Sequence, residues 1–235
     1  MNTDAENRRL IEEMNAYYDK RAPWHDHYME YESIEAMERR LEPLVKFLEG
    51  YIDQKDILEI ACGTGNWTQF LARRARSVTA IDISSAALDI AKTKVSVYGN
   101  VSLKVADAYS LKNVDGVFNM AFAADWWSHI PIGMIPSFLD AVTAKLSAGS
   151  KVIIIDMSLS EFWEGRPYSY DEDGNRVSLR KLIDGSEYRV IKNFPTESDI
   201  RIYLSGYGKN VLFKEFPSLK RWAAVFETAG VFRKL

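Results

Sequence analysis

An acidic residue and a glycine turn lie between an apolar run and an amphipathic segment in the stretch DILEIACGTGNWTQFLARRA. The acid is Glu59, and the turn contains Gly63 and Gly65 with one residue between them. Glycine permits positive φ angles and the close approach of a ligand, and a helix that begins after the turn presents N–H groups without intrahelical partners. We therefore expect a ligand at this turn, and the charge of Glu59 favours a cationic or hydroxyl-bearing ligand over a pyrophosphate.

The spacing of the glycines argues against two common nucleotide sites. A dinucleotide site follows the pattern G-x-G-x-x-G, and the third glycine is missing here. The lysine and the serine or threonine of a phosphate-binding P-loop are missing as well. A dinucleotide-dependent oxidoreductase is thus disfavoured, whereas a cofactor-binding protein without catalysis stays open as an alternative.

Short β-branched apolar runs alternate with segments of helical period in the middle of the chain. The runs are 56–60, 78–83, 101–107, 116–123 and 151–157. Such near-continuous apolar runs are typical of strands covered on both faces, and the glycine of SAGS, 147–150, is expected to stop the helix before the fifth run. The series predicts an α/β fold with a parallel sheet, and two later runs, 210–216 and 221–229, predict an antiparallel end to that sheet.

The segment LEIACGTGNWT resembles the first motif of class I S-adenosylmethionine-dependent methyltransferases, an acid followed by alternating small residues. Glu59, Gly63 and Gly65 match this motif, and Ala61 stands at its first glycine, a difference of one methyl group. The resemblance covers about residues 40–157 and extends less closely to the end. It implies a Rossmann-like three-layer sandwich with a seven-stranded, mostly parallel sheet and an antiparallel C-terminal strand, S-adenosyl-L-methionine as cofactor, S-adenosyl-L-homocysteine as product, and methyl transfer as the reaction.

The resemblance also implies individual cofactor contacts. Asp82 ends the second strand about 20 residues beyond the glycines, where an acid accepts hydrogen bonds from both ribose hydroxyls, and Ile83 beside it lies against the adenine. Asp107 ends the third strand, where this family recognises the adenine amino group. The further candidate cofactor contacts are Tyr18, Arg21, Cys62, Asn66, Trp67, Ala108 and Ala123.

An aromatic cluster near the amino terminus, YYDKRAPWHDHYMEY, resembles the lid of small-molecule methyltransferases. We therefore interpret the chain as a single domain, with a helical lid at 1–50, a cofactor-binding core at 51–157, an acceptor-side insertion at 158–200 and closing strands at 201–235. Pro23 interrupts one of the predicted lid helices, and the turn signal DEDGN predicts a hairpin in the insertion.

Candidate acceptor contacts come from the lid, from the segment after the fourth strand and from the insertion. They are Tyr17, His25, Trp126, Trp127 and Tyr168. Burial in the core is the alternative role for both tryptophans and for Tyr17. Aromatic walls would enclose a flat or cationic acceptor, whereas an arginine of the insertion would hold an acid or a phosphonate. The arginines in question are Arg166, Arg176 and Arg180.

A sulfonium methyl group is already activated, so methyl transfer mainly requires an acceptor held at attack distance with water excluded. A base is needed where the acceptor must lose a proton. His129, just past the fourth strand, is the candidate catalytic residue, with His25 and His27 as further candidates. A surface or capping role is the alternative for each histidine. We assign no role to Asp156 and Glu161, because ordinary solvation at a strand end explains acids in these positions.

Composition narrows the class of partner. A net charge of -3 without a block of lysine or arginine disfavours nucleic acid, and the chain has no apolar run long enough to span a membrane. We therefore expect a small-molecule acceptor and a monomer or homodimer, with a protein or tRNA substrate as the alternative. The single cysteine, Cys62, and the charged amino terminus predict a cytoplasmic protein.

Overall fold

The structure is a computed structural model that describes residues 3–29 and 32–229. Within these ranges the strands form one large and one small sheet. The strands are β1 (Asp56–Ile60), β2 (Ser77–Asp82), β3 (Val101–Val105), β4 (Phe118–Ala124), β5 (Leu146–Met157), β6 (Ser169–Tyr170), β7 (Arg176–Lys181), β8 (Glu187–Ile191), β9 (Gly208–Phe216) and β10 (Arg221–Thr228). The α-helices are α1 (Thr3–Arg21), α2 (His25–Met29), α3 (Ile34–Arg40), α4 (Glu42–Ile52), α5 (Asn66–Ala72), α6 (Ser85–Val95), α7 (Ile135–Thr143), α8 (Glu161–Glu164) and α9 (Glu197–Ser205).

The large sheet has the strand order β3-β2-β1-β4-β5-β10-β9. The first five of these strands pair in parallel, and β10 lies antiparallel between β5 and β9. Ile57, Leu58 and Ile60 of β1 are almost completely buried, as expected for a strand with helices on both faces. The predicted Rossmann-like sandwich with an antiparallel C-terminal strand is confirmed.

The predicted position at which the helix before β5 ends was wrong. The helix α7 ends at Thr143, and β5 begins at Leu146, so the segment 147–150 belongs to the strand. Leu146 pairs with Phe118 of β4 across a register shift and is buried. The next pair joins Lys151 to Met120, so residues 147–150 form the irregular stretch of β5 between the two pairs, and Gly149 adopts a positive φ of 76° there rather than at a helix stop.

The lid helices and the small sheet pack against each other. α1 ends at Arg21, and a 3-10 turn that contains Pro23 separates it from α2, as the proline predicted. The small sheet has the order β6-β7-β8, with antiparallel pairs throughout. A separate apolar cluster joins α1 to the small sheet; it contains Leu10, Met14 and Tyr17 of α1 and Val177, Val190 and Ile191 of the sheet.

No helix within the described ranges combines the length and the apolar character needed to cross a membrane.

Candidate active site

A cleft lies at the carboxyl ends of β1, β2, β3 and β4, and residues of α1 and α2 form its other wall. Parallel strands end at one edge of a sheet, and open α/β sheets bind ligands at that edge. The cleft is lined by Ile11, Asn15, Tyr18, Ala22, His25, Glu59, Ala61, Cys62, Gly63, Thr64, Asn66, Trp67, Ile81, Asp82, Ile83, Ser84, Ala87, Ala106, Asp107, Ala108, Tyr109, Ala124, Asp125, Trp126 and His129.

The turn after β1 requires residues with left-handed backbone. Gly63 has a φ of 55° and Gly65 a φ of 82°, and a Cβ atom on Gly65 would come within 3.0 Å of the Ala91 Cβ. Gly65 therefore serves both the turn and the close packing of α5 on α6. Ala61, at the first glycine of the motif, also has a positive φ, 53°, so the turn keeps the left-handed conformation there although its residue carries a Cβ.

The carboxylate of Asp82 joins the end of β2 to the glycine turn. Its Oδ2 accepts a hydrogen bond from the Gly63 N–H at 2.8 Å, and its Oδ1 accepts one from the Ser84 N–H at 2.9 Å. Burial raises the pKa of this carboxyl. Asp82 therefore both holds the glycine turn in place and lines the cleft. The neighbouring Ile83 is 46% exposed.

Glu59 is a buried acid with an unsatisfied oxygen. Its side chain lines the cleft but is only 2% exposed, and within the described part of the chain its Oε2 has no hydrogen-bond partner. Burial raises the pKa of the Glu59 carboxyl to about 8, and the charge of Asp82 adds to the rise. A buried carboxyl of this kind gains most from a cation or a hydrogen-bond donor that enters the cleft.

Asp26 of α2 fastens the lid to the glycine turn. Its Oδ1 accepts hydrogen bonds from the Thr64 hydroxyl at 2.7 Å and from the Asn66 amide at 2.9 Å, and its Oδ2 lies 2.5 Å from the Lys94 Nζ. Burial opposes ionisation, but hydrogen bonds from His25, Lys94, Thr64 and Asn66 hold the pKa of this carboxyl well below its usual range. The ionised side chain therefore acts as a clamp between lid and turn.

Tyr18 and His129 form a hydrogen-bonded pair in the cleft. The Tyr18 hydroxyl lies 3.0 Å from the His129 Nε2, and the His129 Nδ1 lies 2.6 Å from the Ile191 carbonyl oxygen. A carbonyl can only accept, so Nδ1 carries the proton, and Nε2 accepts from Tyr18. Burial lowers the pKa of His129 well below its ordinary value and raises the pKa of Tyr18. Both members of the pair are therefore neutral near pH 7.

The structure brings most of the predicted site residues to this cleft. Those that line it are Tyr18, His25, Glu59, Ala61, Cys62, Gly63, Asn66, Trp67, Asp82, Ile83, Asp107, Ala108, Trp126 and His129. Gly65 lies in the same turn, as the residue that precedes α5. Their individual contacts with a ligand remain predictions.

Five predicted residues lie away from the cleft wall. Tyr17 is buried in the apolar cluster of the lid, and the Arg21 guanidinium lies 5.9 Å from the Tyr17 and Tyr18 ring centroids. Ala123 is buried within β4, and Trp127 packs against Phe138 and Tyr203. Tyr168 borders a second cavity, beside Trp127.

Several charged residues near the site were not singled out from the sequence. Asp19 and Asp26 bind the lid to Ser84 and Thr64, and Asp125 of the cleft accepts a hydrogen bond from Arg221 at 2.6 Å. The interpretation of Asp156 as a solvated acid was wrong, because it is completely buried and accepts a hydrogen bond from the Ser128 N–H at 2.8 Å. Spacing gave no signal for these acids, because their partners lie far away in the chain.

The comparisons with known sequences agree with this architecture. Residues 57–159 match the model of a family described as a methyltransferase domain. The demethylmenaquinone methyltransferase of Bacillus licheniformis is 24% identical over 177 residues, which are 74% of this chain and 69% of that relative. The enzyme of the same name from Staphylococcus aureus strain MRSA252 is 30% identical over 104 residues, which are 43% of this chain and 42% of that relative.

Solved structures share the fold over nearly the whole chain. A structure described as a DhpI–SAM–HEP complex is 26% identical with a TM-score of 0.72, and the match covers 92% of this chain and 96% of that one. A structure described as a DhpI–SAH complex is 24% identical with a TM-score of 0.75, over 94% of this chain and 97% of that one. The matched domain contains β1, the glycine turn and β2. The domain match, the named relatives and the neighbours with bound SAM or SAH together support a class I S-adenosylmethionine-dependent methyltransferase.

Proposed function

We propose that this methyltransferase transfers the methyl group of S-adenosylmethionine to a small-molecule acceptor inside the cleft. The observation that carries the proposal is that most of the predicted cofactor residues and the Tyr18–His129 pair line one cleft, whose other wall is the lid. The Asp26 clamp holds that lid on the glycine turn. A cleft covered in this way suits a small acceptor better than a folded protein or a tRNA.

The residues present fit the cofactor. Asp82 would accept from the ribose hydroxyls, Ile83 offers an exposed apolar surface to the adenine, and Asp107 would accept from the adenine amino group. The unsatisfied Glu59 oxygen suits the cationic methionine part, because a buried carboxyl is stabilised in its ionised form by a nearby positive charge. When bound, the cofactor supplies an activated methyl group that is open to in-line displacement.

The chain itself contributes positioning and the exclusion of water. Tyr18 donates its proton to the His129 Nε2, which leaves lone pairs of the Tyr18 oxygen to accept a hydrogen bond from an acceptor hydroxyl or amine. His129 cannot take a proton directly from the acceptor while Tyr18 occupies Nε2. We therefore propose that the pair orients the acceptor and that proximity provides most of the catalysis.

The relatives give independent support for a small acceptor. The two enzymes from Bacillus licheniformis and Staphylococcus aureus are named for demethylmenaquinone, which is a small molecule. Sequence identities of 24% and 30% do not carry that acceptor over to this chain. No observation in the described residues favours the protein or tRNA alternative.

Calorimetry and a methyl-transfer screen test the proposal. We expect S-adenosylmethionine and S-adenosylhomocysteine to bind with micromolar affinity, roughly -7 to -8 kcal/mol, and NAD to bind far more weakly. In extracts supplied with methyl-labelled cofactor, the label should enter the small-molecule fraction. Tight NAD binding without a response to either sulfur compound would reverse the cofactor assignment, and label found only in protein or tRNA would reverse the acceptor assignment.

A further inference from the structure

Three alternate residues of β7 have buried polar atoms without partners. They are the Nη1 atom of Arg176, the Oγ atom of Ser178 and the Nε atom of Arg180, none of which has a hydrogen-bond partner in the described part of the chain. Alternate residues of a strand point to the same face. Because buried polar groups are nearly always hydrogen-bonded in native proteins, this face of β7 lacks an acceptor-rich partner.

Lys192 adds a fourth polar side chain to the group. It directly follows β8, and its N–H donates to the Arg176 carbonyl oxygen at 2.9 Å. Its Nζ lies 2.6 Å from the Ser128 Oγ and 3.3 Å from the Asp156 Oδ1, and both lysine and aspartate are buried. We call Arg176, Ser178, Arg180 and Lys192 the basic stripe.

The basic stripe has more positive than negative charge. Its three cations are Arg176, Arg180 and Lys192. Among the described residues, Asp156 is the one carboxylate that forms a hydrogen bond or an ion pair with any of them. Arg176 is 5% exposed and Lys192 3%, so water screens this excess poorly. Buried charge is costly unless it is paired, and two positive charges remain to be neutralised.

Trp163 of α8 lies against the basic stripe. Its ring centroid is 4.9 Å from the Arg180 Cζ and 5.5 Å from the Lys192 Nζ, and its carbonyl oxygen accepts a hydrogen bond from the Arg176 Nη2 at 2.5 Å. An aromatic face attracts cations but carries no net charge. Trp163 therefore covers the basic stripe without neutralising it.

The basic stripe borders the Tyr18–His129 pair. Lys192 follows Ile191, whose carbonyl accepts from His129, and Ser128, which contacts Lys192, precedes His129. Arg180 is paired in register with Tyr188, whose ring packs on Tyr17. None of the four residues of the basic stripe lines the cleft wall itself, so a second group of an acceptor in the cleft must pass the pair to reach these cations.

We propose that the basic stripe binds a doubly charged oxyanion of the acceptor, a phosphate monoester or a phosphonate, while the methylated group of the acceptor lies at the Tyr18–His129 pair. This inference rests on the proposed function. Arginine and hydroxyl donors suit the several oxygens of a tetrahedral anion, and a charge of two matches the excess of the stripe. A single carboxylate would leave one cation without a partner, and Trp163 must move aside when the anion binds.

The test is anion binding by calorimetry with protein saturated with S-adenosylhomocysteine, at constant ionic strength in chloride. Inorganic phosphate and methylphosphonate are the probes, with acetate and malonate for comparison. We expect both probes to bind saturably, and Arg180→Gln to weaken them by about tenfold to a hundredfold. Lys181→Gln is the matched control, because Lys181 follows Arg180 in β7 but lies on the opposite face of the strand and is exposed.

Each outcome decides the inference. Equal losses in the Arg180 and Lys181 variants, or no binding of either probe, would overturn it, and tighter binding of malonate would overturn the phosphoryl assignment. Ser178→Ala and Arg180→Lys, which should cost less affinity than Arg180→Gln, keep the test available if Arg180→Gln unfolds. If the parent protein does not bind S-adenosylhomocysteine, the proposed function is contradicted. If it binds S-adenosylhomocysteine but neither anion, this inference alone is contradicted.

Discussion

The Asp26 carboxylate accepts a 2.7 Å hydrogen bond from the Thr64 hydroxyl, and this contact joins the lid to the middle of the glycine turn. The same Asp26 oxygen accepts from Asn66, the first residue of α5. The segment predicted to hold the cofactor and the segment that covers it are therefore connected directly. Closure of the lid and the shape of the glycine turn depend on each other.

Loss of the clamp should loosen the lid. In Asp26→Ala, we expect faster amide exchange in α1 and α2 and about tenfold weaker binding of S-adenosylhomocysteine, because the hydrogen bonds and the ion pair with Lys94 are lost. Glu12→Gln, an exposed change in α1, is the control and should leave both measurements unchanged. The pKa of Asp26 is held below its usual 3.8, so its stabilisation is present above that pH and is lost as the pH falls further. Unchanged exchange in Asp26→Ala would show that the lid is held by packing alone.

The Glu59 carboxyl should make stability and cofactor binding depend on pH. Its pKa of about 8 lies above the ordinary 4.5, so the folded state holds the proton more tightly than the unfolded state. The free energy of unfolding should therefore fall as the pH rises from 4.5 to 8, and the affinity for the cationic cofactor should rise as the carboxyl ionises.

Glu59→Gln should remove both pH dependences, whereas the exposed Glu215→Gln should retain them. The measurements are denaturant titrations and calorimetry across this pH range, with buffers of different ionisation enthalpy to detect released protons. Parallel pH profiles for the parent and Glu59→Gln would exclude Glu59 as the titrating group.

Asp82 should be needed for cofactor affinity. Asp82→Ala leaves ribose hydroxyls without an acceptor, and we expect a loss of about 1–3 kcal/mol, ten- to a hundredfold, in binding of S-adenosylhomocysteine. The Gly63 and Ser84 N–H groups also lose their acceptor. Asp82→Asn keeps one acceptor oxygen, so it should melt closer to the parent while still binding less tightly. If Asp82→Ala binds as tightly as the parent, another residue holds the ribose.

The Tyr18–His129 pair should act as one unit in positioning the acceptor. With an acceptor found by the screen, we expect His129→Asn and Tyr18→Phe each to lower turnover by less than about 10²-fold, with a pH–rate profile of unchanged shape. The double variant should be no slower than the slower single variant, because each substitution breaks the same hydrogen bond. A loss of about 10²–10⁴-fold that high pH partly rescues would instead identify His129 as a general base.

Replacement of Ala61 by glycine should destabilise the protein less than replacement by any larger residue. Its φ of 53° is strained for a residue with a Cβ, while glycine adds entropy to the unfolded chain. These effects nearly cancel, so Ala61→Gly should change the free energy of unfolding by less than about 1 kcal/mol. Ala61→Val should be clearly destabilising, because a β-branched residue is rarely found at positive φ. Denaturant titration of both variants checks this, and an equally stable valine variant would argue against the left-handed conformation.

The elements of the core could be predicted from local sequence. The run DILEI coincides with β1, and the glycines that follow it adopt positive φ, because apolar periodicity and the lack of a Cβ act on neighbouring residues. Asp82 at the end of β2 was singled out through the family resemblance, and the parallel pairing of β2 with β1 brings it to the glycine turn. The α7–β5 boundary was wrong because pairing with β4, and not local propensity, begins that strand.

The sequence by itself determined the α/β class and the glycine turn, since hydrophobic pattern and backbone freedom are properties of adjacent residues, and the family resemblance of its first motif pointed to the acids at the strand ends. The tertiary structure alone decided that Tyr18 meets His129, that Asp26 clamps Thr64, and that Asp156 is buried with Lys192. These partners lie between 36 and 111 residues apart. A buried polar group takes whichever partner the packing of distant elements brings within hydrogen-bond distance, and no local spacing encodes that choice.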